Sequence, residues 1–298
     1  MSAELRLYIG AEDFPLRLTE TNWPFADRDP RDPGVDSPVT DTLPAASLSQ
    51  SAPGLCPATG ALAAALCHPV AAETENSGIA AEPQISESQK IEKNRYRLLP
   101  DQYLPQVMRK DLIVLHFTAG RSSESAYKTW KANPERVATA YGVDPDGSIC
   151  EFFPPECWAY HLGIKGTHAH DRRSIGIEIA NVGPLKLAPN NREQLNWWPA
   201  DWGTLYCRLD EREHYRVASY RGIEYFAAMP EAQQESVGAL VRDLCQRFQI
   251  PREASLQARN GDYDPNGFAQ YRGVATHANF RRDKWDVGPA FNWEHLGF

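Results

Sequence analysis

From Ala26 to Arg95 the chain has no phenylalanine, tyrosine or tryptophan, although 10% of its 298 residues are aromatic. That stretch is rich in Pro, Ala, Ser, Asp and Glu instead, as in "DPRDPGVDSPVTDTLPAASLSQSAPG". Without large apolar side chains it cannot bury enough surface to offset the entropy of ordering, so residues 26–95 are expected to be a flexible linker. Cysteine is also scarce. The six (Cys56, Cys67, Cys150, Cys157, Cys207 and Cys245) form no CxxC pair, which excludes a disulfide scaffold and fits free, mostly buried thiols. A Cys56–Cys67 or Cys150–Cys157 bridge would require an oxidising compartment. No long hydrophobic run is present: "GLCPATGALAAALCHPVAA" is broken by Pro57, Gly60, His68 and Pro69, and a bilayer span needs roughly 20 apolar residues. Basic charge is short as well, with 31 Lys and Arg against 39 Asp and Glu. The formal net charge of −8, with no basic run, argues against nucleic acid or an anionic membrane as the main partner. The opening "MSAELRLYIGAEDFPLRL" lacks a basic stretch followed by an apolar one, so no secretory signal is expected and synthesis in the cytoplasm is.

What is present divides the chain into three. Residues 1–25 read as a small ordered piece, with "ELRLYIG" alternating like a strand and "FPLRL" as its hairpin partner. Residues 96–298 read as the folded domain. There "DLIVLHF" is a buried-strand pattern and "SSESAYKTWKAN" a helix capped by Ser122 or Ser123, with Ala126, Tyr127 and Trp130 facing inward. "VATAYGVDPDGSICEFF" is a hairpin around "DPDG", and "SIGIEIANVG" is a strand alternating Ile175, Ile177 and Ile179 with Gly176, Glu178 and Ala180. "PEAQQESVGALVRDLCQRFQI" is the clearest helix, its stripe being Val237, Leu240, Val241, Leu244 and Phe248. "RGVATHANF" supplies a late strand ending on His277. Strands and helices alternating in this way predict an α/β fold, a mixed central β-sheet flanked by helices, with an N-terminal extension. Residues 184–229 read as an insertion over one edge, anchored by Trp197, Trp198 and Trp202. Those indoles could instead line a sugar groove, though core anchoring is the simpler reading.

The chemistry begins at His116, an imidazole closing an apolar strand. Alone, such a histidine is more often a hydrogen-bonded core residue than a ligand. His277 ends a second strand in the same manner, and Asp286 follows nine positions later in a Gly-Pro-bounded loop. Two imidazoles and one carboxylate are a ligand set of catalytic zinc, with the fourth position left open. His161, His168 and His170 form a rival cluster, but without a strand pattern or a framed carboxylate. Glu178 by itself reads as a surface charge on an edge strand. Strand alternation sets it opposite the three isoleucines, so it need not be buried among them. Lys284 by itself reads as solvated.

The segments "IVLHFTAG", "DGSICEFFP", "AYHLG", "RRSIGIEIANVG" and "DKWDVGPAFNW", in this order, resemble the zinc-dependent N-acetylmuramoyl-L-alanine amidases, the family that includes the peptidoglycan recognition proteins and amidase-type phage lysozymes. The resemblance covers roughly residues 108–294. It implies a Zn2+ cofactor held by His116, His277 and Asp286, with Glu178 and Lys284 as catalytic residues. It also implies His161, in "YHLG", as a substrate contact, and Trp158, Arg173 and Asn279 are expected beside it. Thr276 and "FRRDK" depart from the family pattern, as does Ala140, where relatives often carry histidine.

The roles make chemical sense. A carboxylate beside an activated water can take its proton and pass it to the departing nitrogen. A lysine can offset the oxyanion that forms on the carbonyl. The expected function is peptidoglycan hydrolysis between N-acetylmuramic acid and L-alanine, in a cell-wall lytic role as a phage endolysin or interbacterial effector. Release or delivery to the wall would follow a non-classical route, with the N-terminal region meeting a delivery or immunity partner. The alternatives are recycling of anhydro-muropeptides in the cytoplasm and a binding module that does not cleave.

Overall fold

The structure is a computed structural model that describes residues 91–298, apart from 165, 167 and 199–202, and the backbone of two short strands near the start. Those strands, β1 (Leu5–Ile9) and β2 (Glu12–Leu16), pair antiparallel as a hairpin. The expected linker lies outside the described residues up to residue 90. Its last part does not: β3 (Ile91–Glu92) already pairs with the main sheet, just before the expected start at Tyr96.

The main sheet has six strands in the order β13-β4-β7-β5-β6-β3. Besides β3 these are β4 (Leu112–Phe117), β5 (Tyr141–Val143), β6 (Ile149–Glu151), β7 (Ser174–Ile179) and β13 (Gly273–Thr276). The neighbours β13, β4, β7 and β5 run parallel, whereas β5 and β6 form the antiparallel hairpin expected around the "DPDG" turn. The sheet is therefore mixed, and helices flank it.

Strand alternation sorts the side chains onto two faces. Ile113, Leu115, Ile175, Ile177 and Ile179 share one buried cluster with Val237, Leu240, Val241 and Leu244 of α3 (Glu231–Phe248). At the start of α3, Gln233 donates from Nε2 to the carbonyls of Val143 and Ala180, both at 3.0 Å. That tie fixes the helix over the ends of β5 and β7. On the other face Leu112, Val114 and Ala275 pack with Leu162, Ala258, Phe268 and Phe280. A buried parallel strand is covered on both sides, so Glu178 is also buried. This corrects the edge-strand expectation.

Helix α1 (Ser123–Ala132) is capped by Ser122, whose hydroxyl accepts from the amide of Ser125. Two short helices, α2 (Ala169–Arg173) and α4 (Leu256–Arg259), complete the set. The stretch read as an insertion contains a five-stranded antiparallel sheet of order β10-β9-β8-β12-β11. Its strands are β8 (Pro184–Ala188), β9 (Asn191–Trp197), β10 (Leu205–Arg208), β11 (Tyr215–Tyr220) and β12 (Ile223–Ala227). Trp197 is buried in this sheet's own core with Leu185, Leu195 and Tyr215, as an anchor should be. Trp198 joins the main core, and Trp202 lies outside the described residues. Cys150 and Cys157 are free and buried, as are Cys207 and Cys245. No helix among the described residues is long and apolar enough to cross a membrane.

Ile177 is fully buried and sits between Leu115 on β4 and Tyr141 on β5. Truncation to Ile177→Ala is expected to remove about 2–5 kcal/mol of folding stability. Chemical denaturation followed by circular dichroism measures it, and an unchanged midpoint would contradict this placement of the core.

Candidate metal centre

His116 and Glu178 are direct neighbours in the parallel register of β4 and β7, and Thr276 of β13 sits beside Leu115 on the other side. His277 therefore follows its strand at the level of His116. Three adjacent strand ends present an imidazole, an imidazole and a carboxyl along one edge of the sheet. His277 opens a short 3-10 turn, His277–Asn279, rather than closing the strand itself. Thr276 and Asn279 cap that turn reciprocally: the Asn279 side chain accepts from the Thr276 amide at 2.7 Å and from its hydroxyl at 3.0 Å. The threonine that departs from the family pattern has this local use.

Ligand atoms of His116, His277 and Asp286 lie within 4.8 Å of one another, and all three residues are buried. The two Nδ1 atoms are 3.0 Å apart, and Asp286 Oδ2 is 3.1 Å from Nδ1 of His277 and 3.6 Å from that of His116. Hydrogen-bond directions fix where the protons sit. The His170 carbonyl can only accept, so the Ser174 hydroxyl donates to it at 2.6 Å. Ser174 Oγ is then the acceptor for His161 Nε2–H at 2.8 Å. Neutral His161 is left with a bare Nδ1, which accepts from His116 Nε2–H at 2.9 Å. His116 in turn is left with a bare Nδ1 facing the cluster. His277 donates from Nε2 to the Leu162 carbonyl at 3.1 Å, which bares its Nδ1 as well.

In these neutral tautomers two lone pairs and a carboxylate oxygen converge with no proton among them, and one added proton would bridge His277 Nδ1 and Asp286. One shared proton would relieve a single contact of the three, whereas a divalent cation relieves all. The donor set fits zinc: two imidazoles and one carboxylate, each imidazole backed by an acceptor for its second nitrogen.

Burial drives the electrostatics. It holds His116 well below the usual imidazole range, helped by His277, His161 and Lys284. Burial also takes His161 down to about 4, against the pull of Asp171. For the carboxyls the outcome splits. Burial and then Asp286 push Glu178 up to about 8, with Lys284 opposing. Burial works against Asp286 too, but His277 and Lys284 outweigh it and hold that carboxyl below its ordinary value. Two acids pushed apart can take different roles, one as a standing anion and one as a proton carrier.

Above these groups lies a cleft of about 230 Å³. It is lined by His116, His161, Glu178, His277, Lys284 and Asp286, with Trp130, Thr139 and Trp285 among the wall residues. Lys284 thus reaches the site. Of the expected substrate contacts, Arg173, Trp158 and Asn279 do not line it. Arg173 sits at the opposite end of β7, where its guanidinium donates to Asp111 at 2.7 Å and to the Tyr271 carbonyl at 2.6 Å. Trp158 is buried and packs edge-on against Tyr160. Asn279 is fully buried, using its oxygen on Thr276 and its nitrogen on the carbonyls of Gln257 and Asp262. All three are held by the fold. His161 does line the cleft, yet both of its ring nitrogens are engaged in the chain behind His116.

The rival histidine cluster does not assemble. His170 packs against Phe280, His168 lies beside Asp171, and His116, His277 and Asp286 are the metal-competent group among the described residues. Sequence reasoning missed Ser174, Gly176 and Asp171. Asp171 Oδ1 accepts from the amides of His161 and Leu162, both at 3.0 Å, and fixes the loop that carries the second imidazole. A Cβ on Gly176 would come within 2.9 Å of Thr139 and 3.2 Å of the His161 ring, so that position has to stay bare. The signal was present in "SIGIEI": alternate positions carry Ser, Gly and Glu on the face opposite the isoleucines.

The family model described as N-acetylmuramoyl-L-alanine amidase matches residues 106–289, more than half of the chain. The chain belongs to the N-acetylmuramoyl-L-alanine amidase family. The matched span contains every residue of the cleft and the inserted sheet. No curated protein matches the amidase in sequence. Among solved structures, a mutant of PlyL is 17% identical, over 63% of this chain and 82% of that one, with a TM-score of 0.35. AmiD from E. coli, in complex with anhydro-N-acetylmuramic acid-L-Ala-D-γ-Glu-L-Lys, is 21% identical over 65% of this chain and 58% of its own, TM-score 0.38. A selenomethionine derivative of AmpD is 16% identical over 71% and 94%, TM-score 0.37. Likeness at this level adds nothing on activity to the family match.

The depressed imidazoles give the metal-free amidase an acid-sensitive stability. An unfolded histidine takes up its proton near 6.5, whereas folded His161 does so only near 4. Between those values the unfolded chain binds protons that buried His161 and His116 refuse, whereas Glu178, pushed up to about 8, keeps one that an unfolded carboxyl releases above 4.5; two imidazoles against one carboxyl leave stability falling as the pH drops from 6.5 to 4. Urea unfolding of chelator-treated protein at successive pH values should show the midpoint falling through that window. A midpoint flat or rising on acidification would contradict the buried, neutral assignment.

Proposed function

We propose that the amidase is a zinc-dependent peptidoglycan hydrolase that cuts the amide joining the lactyl group of N-acetylmuramic acid to L-alanine. The observation that carries this reading is the convergence of three proton-free acceptor atoms, from His116, His277 and Asp286, at the cleft that Glu178 and Lys284 also line. His116 and His277 would hold the ion through Nδ1, and Asp286 through a carboxylate oxygen. When bound, zinc supplies Lewis acidity that activates water and polarises the scissile carbonyl.

The protein's own groups do the rest. The Glu178 carboxylate takes the proton of the attacking water and hands it to the departing alanine nitrogen, which leaves as an amine. Its raised affinity for protons suits that transfer. The Lys284 ammonium offsets the negative charge that develops on the carbonyl oxygen. Ser174, His161 and the Leu162 carbonyl hold the two imidazoles in the tautomer that faces the cleft. The walls of Trp130 and Trp285 restrict water around the reacting amide.

For biological role we favour lysis of the cell wall, as an endolysin or a delivered effector, because the N-terminal extension has no evident use in recycling a soluble muropeptide. Delivery to the wall by a non-classical route, with residues 1–95 engaging a delivery or immunity partner, belongs to the same reading.

Two variants and one substrate comparison test it. Glu178→Gln should keep the fold and stoichiometric zinc while losing most turnover, and His277→Ala should lose the metal as well. Metal analysis with release of stem peptide from muropeptides measures both, and full activity in Glu178→Gln would end the proton-carrier assignment. Intact sacculi and soluble anhydro-muropeptide should both be digested. Cleavage of the soluble compound alone would replace lysis with recycling.

A further inference from the structure

One turn of the five-stranded sheet meets the loop that carries Asp286. β11 and β12 are joined by Arg221 and Gly222, between the paired residues Tyr220 and Ile223. Both turn residues have positive φ, 47° and 76°, as a two-residue type I′ hairpin requires. Asn, Asp or Gly is the ordinary choice at the first of these positions, and a long side chain is disfavoured there. The arginine has a use that none of those residues could supply. Its Nη1 donates to the carbonyls of Arg281, Arg282 and Lys284 at 3.3, 3.0 and 2.6 Å. Its Nη2 donates to those of Gly261 and Ala278 at 2.5 and 3.0 Å. In return the Arg221 carbonyl accepts from the indole N–H of Trp285 at 3.3 Å.

Four of the five acceptors lie between His277 and Asp286, and the indole belongs to the residue just before Asp286. That loop sets the distance between two of the three ligands and carries Lys284. Its other backbone ties gather at its start: the amides of Phe280 and Arg281 return to the His277 carbonyl, that of Ala278 to Asp286 and that of Asn279 to the Thr276 side chain, and the Asn279 carbonyl accepts from the Asp264 amide. A planar guanidinium with five N–H donors can serve as the hub of such a loop, where an ammonium, a point charge with three, cannot span the same set.

We infer that Arg221, at the tip of the inserted hairpin, is a positioning residue for the metal centre, holding the 277–286 loop so that Asp286 and Lys284 face the two imidazoles. The inserted sheet is then the mount of the third ligand. The inference rests on the metal reading proposed above, so its test has one arm that needs no metal.

The full chain is compared with Arg221→Ala and Arg221→Lys by chelator-competition titration with zinc and by hydrogen exchange of the zinc-free protein. Zinc binding is expected to weaken roughly 10–100-fold in Arg221→Ala, with little recovery in Arg221→Lys and partial recovery when guanidinium ion is added. In the zinc-free protein the amides of Ala278, Phe280 and Arg281 should exchange faster while β4 and β7 keep their protection. Zinc affinity equal to that of the parent, or protection lost evenly through β4 and β7, overturns the inference. Should Arg221→Ala fail to fold, Arg221→Lys carries the same two readouts. A parent chain that binds no zinc would sink the metal reading alone, and the exchange result would still decide whether Arg221 holds the loop.

Discussion

The parallel pairing of β4 with β7, in the register that sets His116 beside Glu178, is the constraint on which the site depends. Side chains at matching positions of parallel neighbours point to the same face. A slip of one residue would turn the imidazole in among the isoleucines and bring Leu115 to the cleft. The isoleucines of β7 and their partners on α3 prevent that slip, because the exchange would place polar groups in the larger core. Hydrophobic packing on one face of the sheet thus fixes the chemistry on the other.

On that second face the fold supports a line of buried polar groups, hydrogen-bonded one to the next from Ser174 to His116. Ser174, His161 and His116 form a hydrogen-bonded chain whose direction is set at its far end by one backbone carbonyl. Gly176 is bare so that the His161 ring can lie across the strand. Satisfied in this way, His116 and His161 stay neutral, and the cleft-facing nitrogen of His116 stays available. The same low-dielectric setting drives the two carboxyls apart, because Asp286 has His277 in contact while Glu178 has only the opposing pull of Lys284. Burial is shared, and the neighbours decide the difference.

The inserted sheet contributes by another route. It has a small core of its own around Trp197, and it meets the ligand-bearing loop through hydrogen bonds from one arginine to backbone carbonyls. Such bonds do not depend on the loop's side chains. "FRRDK" can therefore differ from the family pattern while its backbone is still held.

Much of this was legible in the sequence. The continuous apolar run in "DLIVLHF", the period-two alternation in "SIGIEI", the helical stripe ending at Phe248 and the "DPDG" turn gave the central sheet and its main helix, because each is a local pattern of burial. The ordered motifs around His116, Glu178, His277 and Asp286 pointed to one centre. Arg173, Trp158 and Asn279 lie away from the cleft for a common reason: proximity in sequence to a motif says nothing about which way a side chain faces. Glu178 looked like an edge residue because alternation alone cannot tell a solvated face from a second buried one. What the chain determined by itself is which residue types stand at the strand ends. Only the tertiary structure decided that strand ends far apart in sequence lie side by side, which nitrogens keep their protons, and that an arginine on a distant hairpin ties down the loop, since register, desolvation and backbone contacts exist only once the strands have paired.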